Sequence, residues 1–148
     1  MVCDALELAK SLEENDLVFI DPPYSGVHYS RFYHVLETIA QGSCSTVEGV
    51  GRYPPPAERP QSDYSLRTKS KAALDTLLKT LSQRRVKVIL TFPKEETSNG
   101  LSGTIVRELA EEYFFVKEKV VNGRFSTLGK KHVPAYEVIL TMKPLPKI

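Results

Sequence analysis

The sequence predicts an α/β domain with a mostly parallel sheet that ends in an antiparallel hairpin. Short continuous apolar runs at Leu17 to Ile20 and Val86 to Phe92 have the pattern of strands buried on both faces. Stretches with helical apolar spacing alternate with them, which is the order of βαβ units. Proline or glycine closes most of these segments, so their ends are legible.

Ala5, Leu8, Ala9 and Leu12 fall at helical spacing behind Asp4, an N-cap residue type. The first strand, Leu17 to Ile20, is ended by Pro22 and Pro23. Ser30 can cap a helix in which Phe32, Val35, Leu36, Ile39 and Ala40 form one apolar stripe, with Gly42 as the stop, and this helix is expected to pack on the sheet. Residues 43–69 lack a period and contain Pro54-Pro55-Pro56 and Pro60, so they read as one long basic loop. Leu74, Leu77, Leu78 and Leu81 mark a third helix ending before Arg84-Arg85, and Val86 to Phe92 is the second strand, closed by Pro93. After the turn Ser98-Asn99-Gly100, the residues Leu101, Ile105, Leu109 and Tyr113 share a helix face that leads into a strand over Phe114 to Val121. Ala135 to Met142 reads as the last strand, and no internal repeat is present.

A chain of 148 residues is the length of one domain. Its 41% hydrophobic and 26% charged residues exclude collagen-like and wholly disordered classes. Every apolar run is shorter than the ~18 residues of a membrane span. The acidic start (Asp4, Glu7, Glu13, Glu14 and Asp16 against Lys10) is unlike a secretory signal. Cys3 and Cys44 have no partner at metal-ligand or disulfide-framework spacing, so the expectation is a cytoplasmic protein without a metal site. Basic residues concentrate in two stretches. One holds Lys119, Arg124, Lys130, Lys131, Lys143 and Lys147 against Glu137, and the other holds Arg52, Arg59, Arg67, Lys69 and Lys71 against Glu58 and Asp63. Such stretches neutralise phosphates or form solvated faces, and charge alone does not choose between the two.

The tetrad Asp21-Pro22-Pro23-Tyr24 follows a buried-type strand directly, where an open α/β sheet presents its functional groups. A chance occurrence in a chain of this length is on the order of one in a thousand. Here the sequence resembles the S-adenosylmethionine-dependent amino-methyltransferases, most closely the DNA adenine-N6 methyltransferases, whose catalytic motif is this strand-end tetrad. The resemblance extends over Leu17 to Ile39, Gly49-Val50-Gly51-Arg52-Tyr53-Pro54-Pro55, Val88 to Pro93 and Gly123-Arg124-Phe125-Ser126-Thr127. It implies a partial Rossmann-like methyltransferase sheet and a single domain over 1–148 that is the carboxyl-terminal catalytic half. No glycine-rich loop precedes Asp21, so the resemblance further implies a second chain or an upstream portion that supplies the cofactor-binding half.

The chemistry accounts for these residue types. The lone pair of an adenine amine is delocalised into the ring, so two acceptors must localise it on nitrogen. The Asp21 carboxylate and the Pro22 carbonyl suit the two N–H bonds, and Pro23 restricts Pro22 so that its carbonyl is held in advance. Tyr24 offers a face on which an extruded base stacks. The resemblance assigns catalysis to Asp21, Pro22, Pro23 and Tyr24, and cofactor contact to Asp21 and Tyr24. DNA contact is expected of Tyr29, Arg31, Arg52, Arg124, Lys130 and Lys131, although Tyr29 and Tyr33 fit surface tyrosines equally well. His28, His34 and His132 share no ligand spacing, and Gly49-Val50-Gly51 follows no strand, so neither set reads as a site. Two other functions stay open: an RNA base N-methyltransferase, since an acid before Pro-Pro-aromatic also serves guanine amines, and an inactive DNA-binding remnant.

Overall fold

A computed structural model describes residues 3–26, 30–43, 46–47, 49–51, 54–55, 62–126 and 132–146, with the side chains of 30–32, 37, 123–126 and 132–134 left aside. In chain order the elements are α1 (Ala5–Ser11), β1 (Leu17–Ile20), α2 (Ser30–Gln41), a 3-10 turn at Asp63–Ser65, α3 (Ser70–Gln83), β2 (Lys87–Pro93), α4 (Gly103–Glu111), β3 (Phe114–Ser126) and β4 (His132–Pro144). Asp4 caps α1 as its residue type requires, its carboxylate accepting from the amides of Leu6 and Glu7. The predicted fourth helix starts later than its spacing suggests. Ser102 is the N-cap, and Leu101 lies buried in the preceding turn.

The four strands form one sheet in the order β1-β2-β4-β3. β1 pairs with β2 in parallel, from Leu17 opposite Lys87 to Ile20 opposite Leu90. β4 is antiparallel to both β2 and β3. Three strands therefore run the same way, as expected, but the pairing is not mostly parallel, because two of the three ladders are antiparallel. The β3/β4 hairpin forms one end of the sheet, as expected, with β4 as its inner strand and β3 as the edge. The crossover through α4 leaves β3 one strand's width from β2, and β4 returns into that gap, where its N–H and C=O groups are satisfied on both sides. Beyond the predicted ends β3 and β4 pair with each other alone, from Asn122 opposite Tyr136 to Ser126 opposite His132.

One face of the sheet carries the core. Val88, Leu90 and Phe92 of β2, together with Val138, Leu140 and Met142 of β4, pack against Leu74, Leu78 and Leu81 of α3 and Val106 of α4. The other face departs from the expectation of strands buried on both sides. By register it holds Leu17, Phe19 and Phe115, which are 64%, 65% and 62% exposed. Nor does α2 lay its stripe on the sheet, since Val35, Leu36 and Ile39 are exposed. Among the described residues no helix is long and apolar enough to cross a membrane, and no group of His, Cys, Asp or Glu is placed to hold a metal.

Gly103 fixes how closely α4 approaches the sheet. A Cβ there lies 2.9 and 3.0 Å from the Val138 methyls and 3.2 Å from the Lys94 Cα. Gly103→Ala is expected to destabilise the fold by about 1–3 kcal/mol through overpacking, read as a lower urea midpoint at unchanged slope.

Candidate functional site

The site begins where β1 ends. Ile20 pairs with Leu90, which puts Asp21 beside Thr91 on the neighbouring strand. The Thr91 hydroxyl donates to Asp21 Oδ1 at 3.1 Å and so fixes the carboxylate's rotation. Asp21 is exposed, Pro22 is buried, and Pro23 and Tyr24 are half-buried. Among the described residues no hydrogen bond reaches Asp21 Oδ2 or the Pro22 carbonyl oxygen. The strand end thus carries two acceptors on adjacent residues, the Asp21 carboxylate and the carbonyl between two prolines. Tyr24 packs edge-on to Phe92 with ring centroids 6.5 Å apart and planes at 81°, so the core orients the tyrosine.

A second segment supports the tetrad from below. The turn at residues 97–101 is closed by Thr97 N–H to the Leu101 carbonyl (2.8 Å) and Gly100 N–H to the Thr97 carbonyl (2.9 Å), with Gly100 at φ +82°. The fully buried Asn99 side chain donates to the carbonyls of Pro23 and Tyr64, at 3.0 Å each. Ser98 Oγ accepts from the Gly26 amide at 2.8 Å. In the sequence this segment reads only as a turn ahead of a helix. Asn-Gly signals a turn, but nothing local shows that its side chain reaches a residue 76 positions away.

Beside the tetrad lies an open, largely apolar cleft of about 280 Å³ between α1, β1 and α3, with Leu8, Phe19, Asp21, Pro22 and Tyr64 among its lining. Burial pushes the Tyr64 phenol above its usual range and the Asp4 and Asp63 carboxylates add to this, so the rim of the cleft stays neutral at that point.

This strand end lies within residues 3–53, which match the family model of the D12 class N6 adenine-specific DNA methyltransferases. The chain is a distant homologue of that domain. It is also similar to the modification methylase StsI of Streptococcus sanguinis, at 29% identity over 92 residues that make up 62% of this chain and 14% of that protein. The chain thus spans about a seventh of the curated relative it matches. No solved structure matches it. Both matches are to sequences named as DNA or modification methyltransferases.

The fit of these residues to S-adenosylmethionine is partial. An exposed carboxylate at a strand end suits a sulfonium cation, but the cleft beside it is largely apolar, and its described lining offers few of the polar groups that ribose hydroxyls and an amino-acid end require. The residues described here do not by themselves make a seat for the cofactor.

The expected DNA contacts fall mostly outside the described residues: Tyr29, Arg52, Lys130 and Lys131 lie there entirely, while Arg31 in α2 and Arg124 in β3 are described by backbone alone. Of the second basic stretch, Arg67 pairs with Glu96 and Lys69 with Asp63, each at 3.0 Å. These two cations are partly neutralised in place, which weakens the reading of that stretch as a phosphate-binding strip. Gly49 to Gly51 form a turn with Gly49 at φ +70°.

Proposed function

We propose that this chain carries the catalytic strand end of a DNA adenine-N6 methyltransferase. The observation that carries the reading is the pair of acceptors at the end of β1, Asp21 with its carboxylate set by Thr91 and Pro22 with its carbonyl set by the following proline. An amine with two N–H bonds meets both. Accepting both protons concentrates charge on nitrogen and directs its lone pair away from the ring, and the half-buried Tyr24 ring stacks on the base that carries it. S-adenosylmethionine, when bound, would supply the electrophilic methyl group, and Asp21 and Tyr24 are the residues of this chain that would contact it. Tyr29, Arg31, Arg52, Arg124, Lys130 and Lys131 contact the DNA backbone in this reading.

The cofactor's seat is completed by a portion outside these 148 residues, on the same polypeptide or a second one. The open edge of β1, the exposed Leu17 and Phe19 and the uncovered stripe of α2 are where it would add strands and a covering layer. The relative's much greater length agrees with this.

The test combines the chain with such a portion, S-adenosylmethionine labelled in its methyl group, and adenine-containing DNA alongside RNA, and digests the products to nucleosides. N6-methyladenine is the expected product. Label found on an RNA base instead, or no transfer alongside a DNA affinity that Asp21→Ala leaves unchanged, overturns the proposal in favour of an RNA enzyme or a binding remnant respectively.

A further inference from the structure

We propose that Asn99 is the positioning residue of this site: its side-chain amide holds the Pro23 carbonyl, and through it the acceptor geometry of Asp21 and Pro22. The inference rests on the methyl-transfer reading above and adds to it a residue outside the tetrad.

Every polar atom of the Asn99 side chain is engaged, and so is its backbone carbonyl. Nδ2 gives one proton to the Pro23 carbonyl and the other to the Tyr64 carbonyl, at 3.0 Å each. Oδ1 accepts from the Leu101 amide at 3.1 Å and from the Thr97 hydroxyl at 2.6 Å, a hydroxyl that also lies 3.0 Å from the Leu101 carbonyl. The backbone carbonyl accepts from the buried Ser70 hydroxyl at the start of α3, at 2.8 Å. A primary amide has two donors and two acceptor sites, so this pattern is saturated and admits one orientation. Residue 99 is fully buried, where an amide with unmet bonds is costly, so the clamp is rigid.

Its point of attachment decides what it does. Pro22 and Pro23 have fixed φ angles, leaving ψ as the soft torsion of the tetrad. Holding the Pro23 oxygen fixes that torsion for Pro23 and anchors the peptide whose neighbour carries the Pro22 oxygen. Ser98, next in the same turn, holds the Gly26 amide and secures the far side of Tyr24. A purely structural asparagine would satisfy its own turn, which Oδ1 already does; the donors are spent on two carbonyls remote in sequence.

The experiment uses the full chain labelled with carbon-13 and nitrogen-15. Asn99→Asp keeps the acceptors for Thr97 and Leu101 and removes both donors. It is expected to move the Pro23 carbonyl and Tyr24 amide resonances, while Ser70→Ala, which removes only the bond to the Asn99 backbone, lowers the melting temperature and leaves those resonances in place. If Asn99→Asp does not fold, Thr97→Val decides, because it loosens the amide through Oδ1 and should shift the same two resonances. In a completed enzyme Asn99→Asp is expected to lower kcat by about 100-fold with KM for DNA unchanged, the loss that follows a misplacement of about 1 Å. Resonances of Pro23 and Tyr24 that stay at their parental positions in the folded variant overturn the clamp, as does an unchanged kcat. The resonance measurement involves no methyl transfer. Shifted resonances in Asn99→Asp, together with a completed parental enzyme that is itself inactive, therefore support the clamp and reject the methyl-transfer reading.

Discussion

Replacing Asp21 with asparagine in a completed enzyme is expected to slow methyl transfer at least ~100-fold, about 2.7 kcal/mol of transition-state stabilisation. Asparagine keeps the shape and one acceptor oxygen, and that oxygen can still receive the Thr91 hydroxyl bond that Asp21 Oδ1 receives at 3.1 Å. What is lost is the negative charge, and the second oxygen becomes an N–H donor pointed at the substrate's own N–H. The charge matters most as the amine nitrogen turns positive during attack, so the loss belongs in the rate and not in DNA binding. A single-turnover assay with DNA affinity measured alongside separates the two. A parental rate in Asp21→Asn rejects Asp21 as the amine acceptor.

The parts of this protein that announce themselves in sequence are those whose cause is local. Asp4 caps α1 with its own side chain, prolines end β1 and β2, and the Leu74, Leu77, Leu78 and Leu81 stripe buries as its spacing requires. The tetrad is legible because strand and turn are adjacent in the chain. The insertion of β4 between β2 and β3 is not, since an apolar alternation states that a strand pairs but not with which neighbour. The apolar stripe of α2 and the run Leu17 to Ile20 misled in one common way. Both show that a surface is built to be covered, and neither shows that the cover is supplied by these residues: Ile39 is 70% exposed. Asn99 escaped for a third reason. Its partners Pro23, Tyr64 and Ser70 are gathered only by the fold.

The core and the site meet at Phe92, and truncating it should disturb both. Phe92 is 1% exposed at the carboxyl end of β2, on the core face with Leu90 and opposite Val138 of β4. Phe92→Ala removes most of a buried aromatic side chain from a strand paired on both sides, where the backbone has little freedom to collapse into the space. The expected loss is about 3–5 kcal/mol, read from urea unfolding followed by circular dichroism. For a chain of this size that corresponds to a melting temperature lower by about 10–16 °C. Tyr24 rests edge-on against this ring, a contact worth about 0.5–1.5 kcal/mol beyond its area. Tyr24→Ala, at a half-buried position on the site side of the same contact, should therefore cost distinctly less than Phe92→Ala. In the double variant the two losses should fall short of additive, because the shared ring contact is counted in each single variant. Strict additivity would mean that the core does not orient the tyrosine and that Tyr24 is held by its backbone alone.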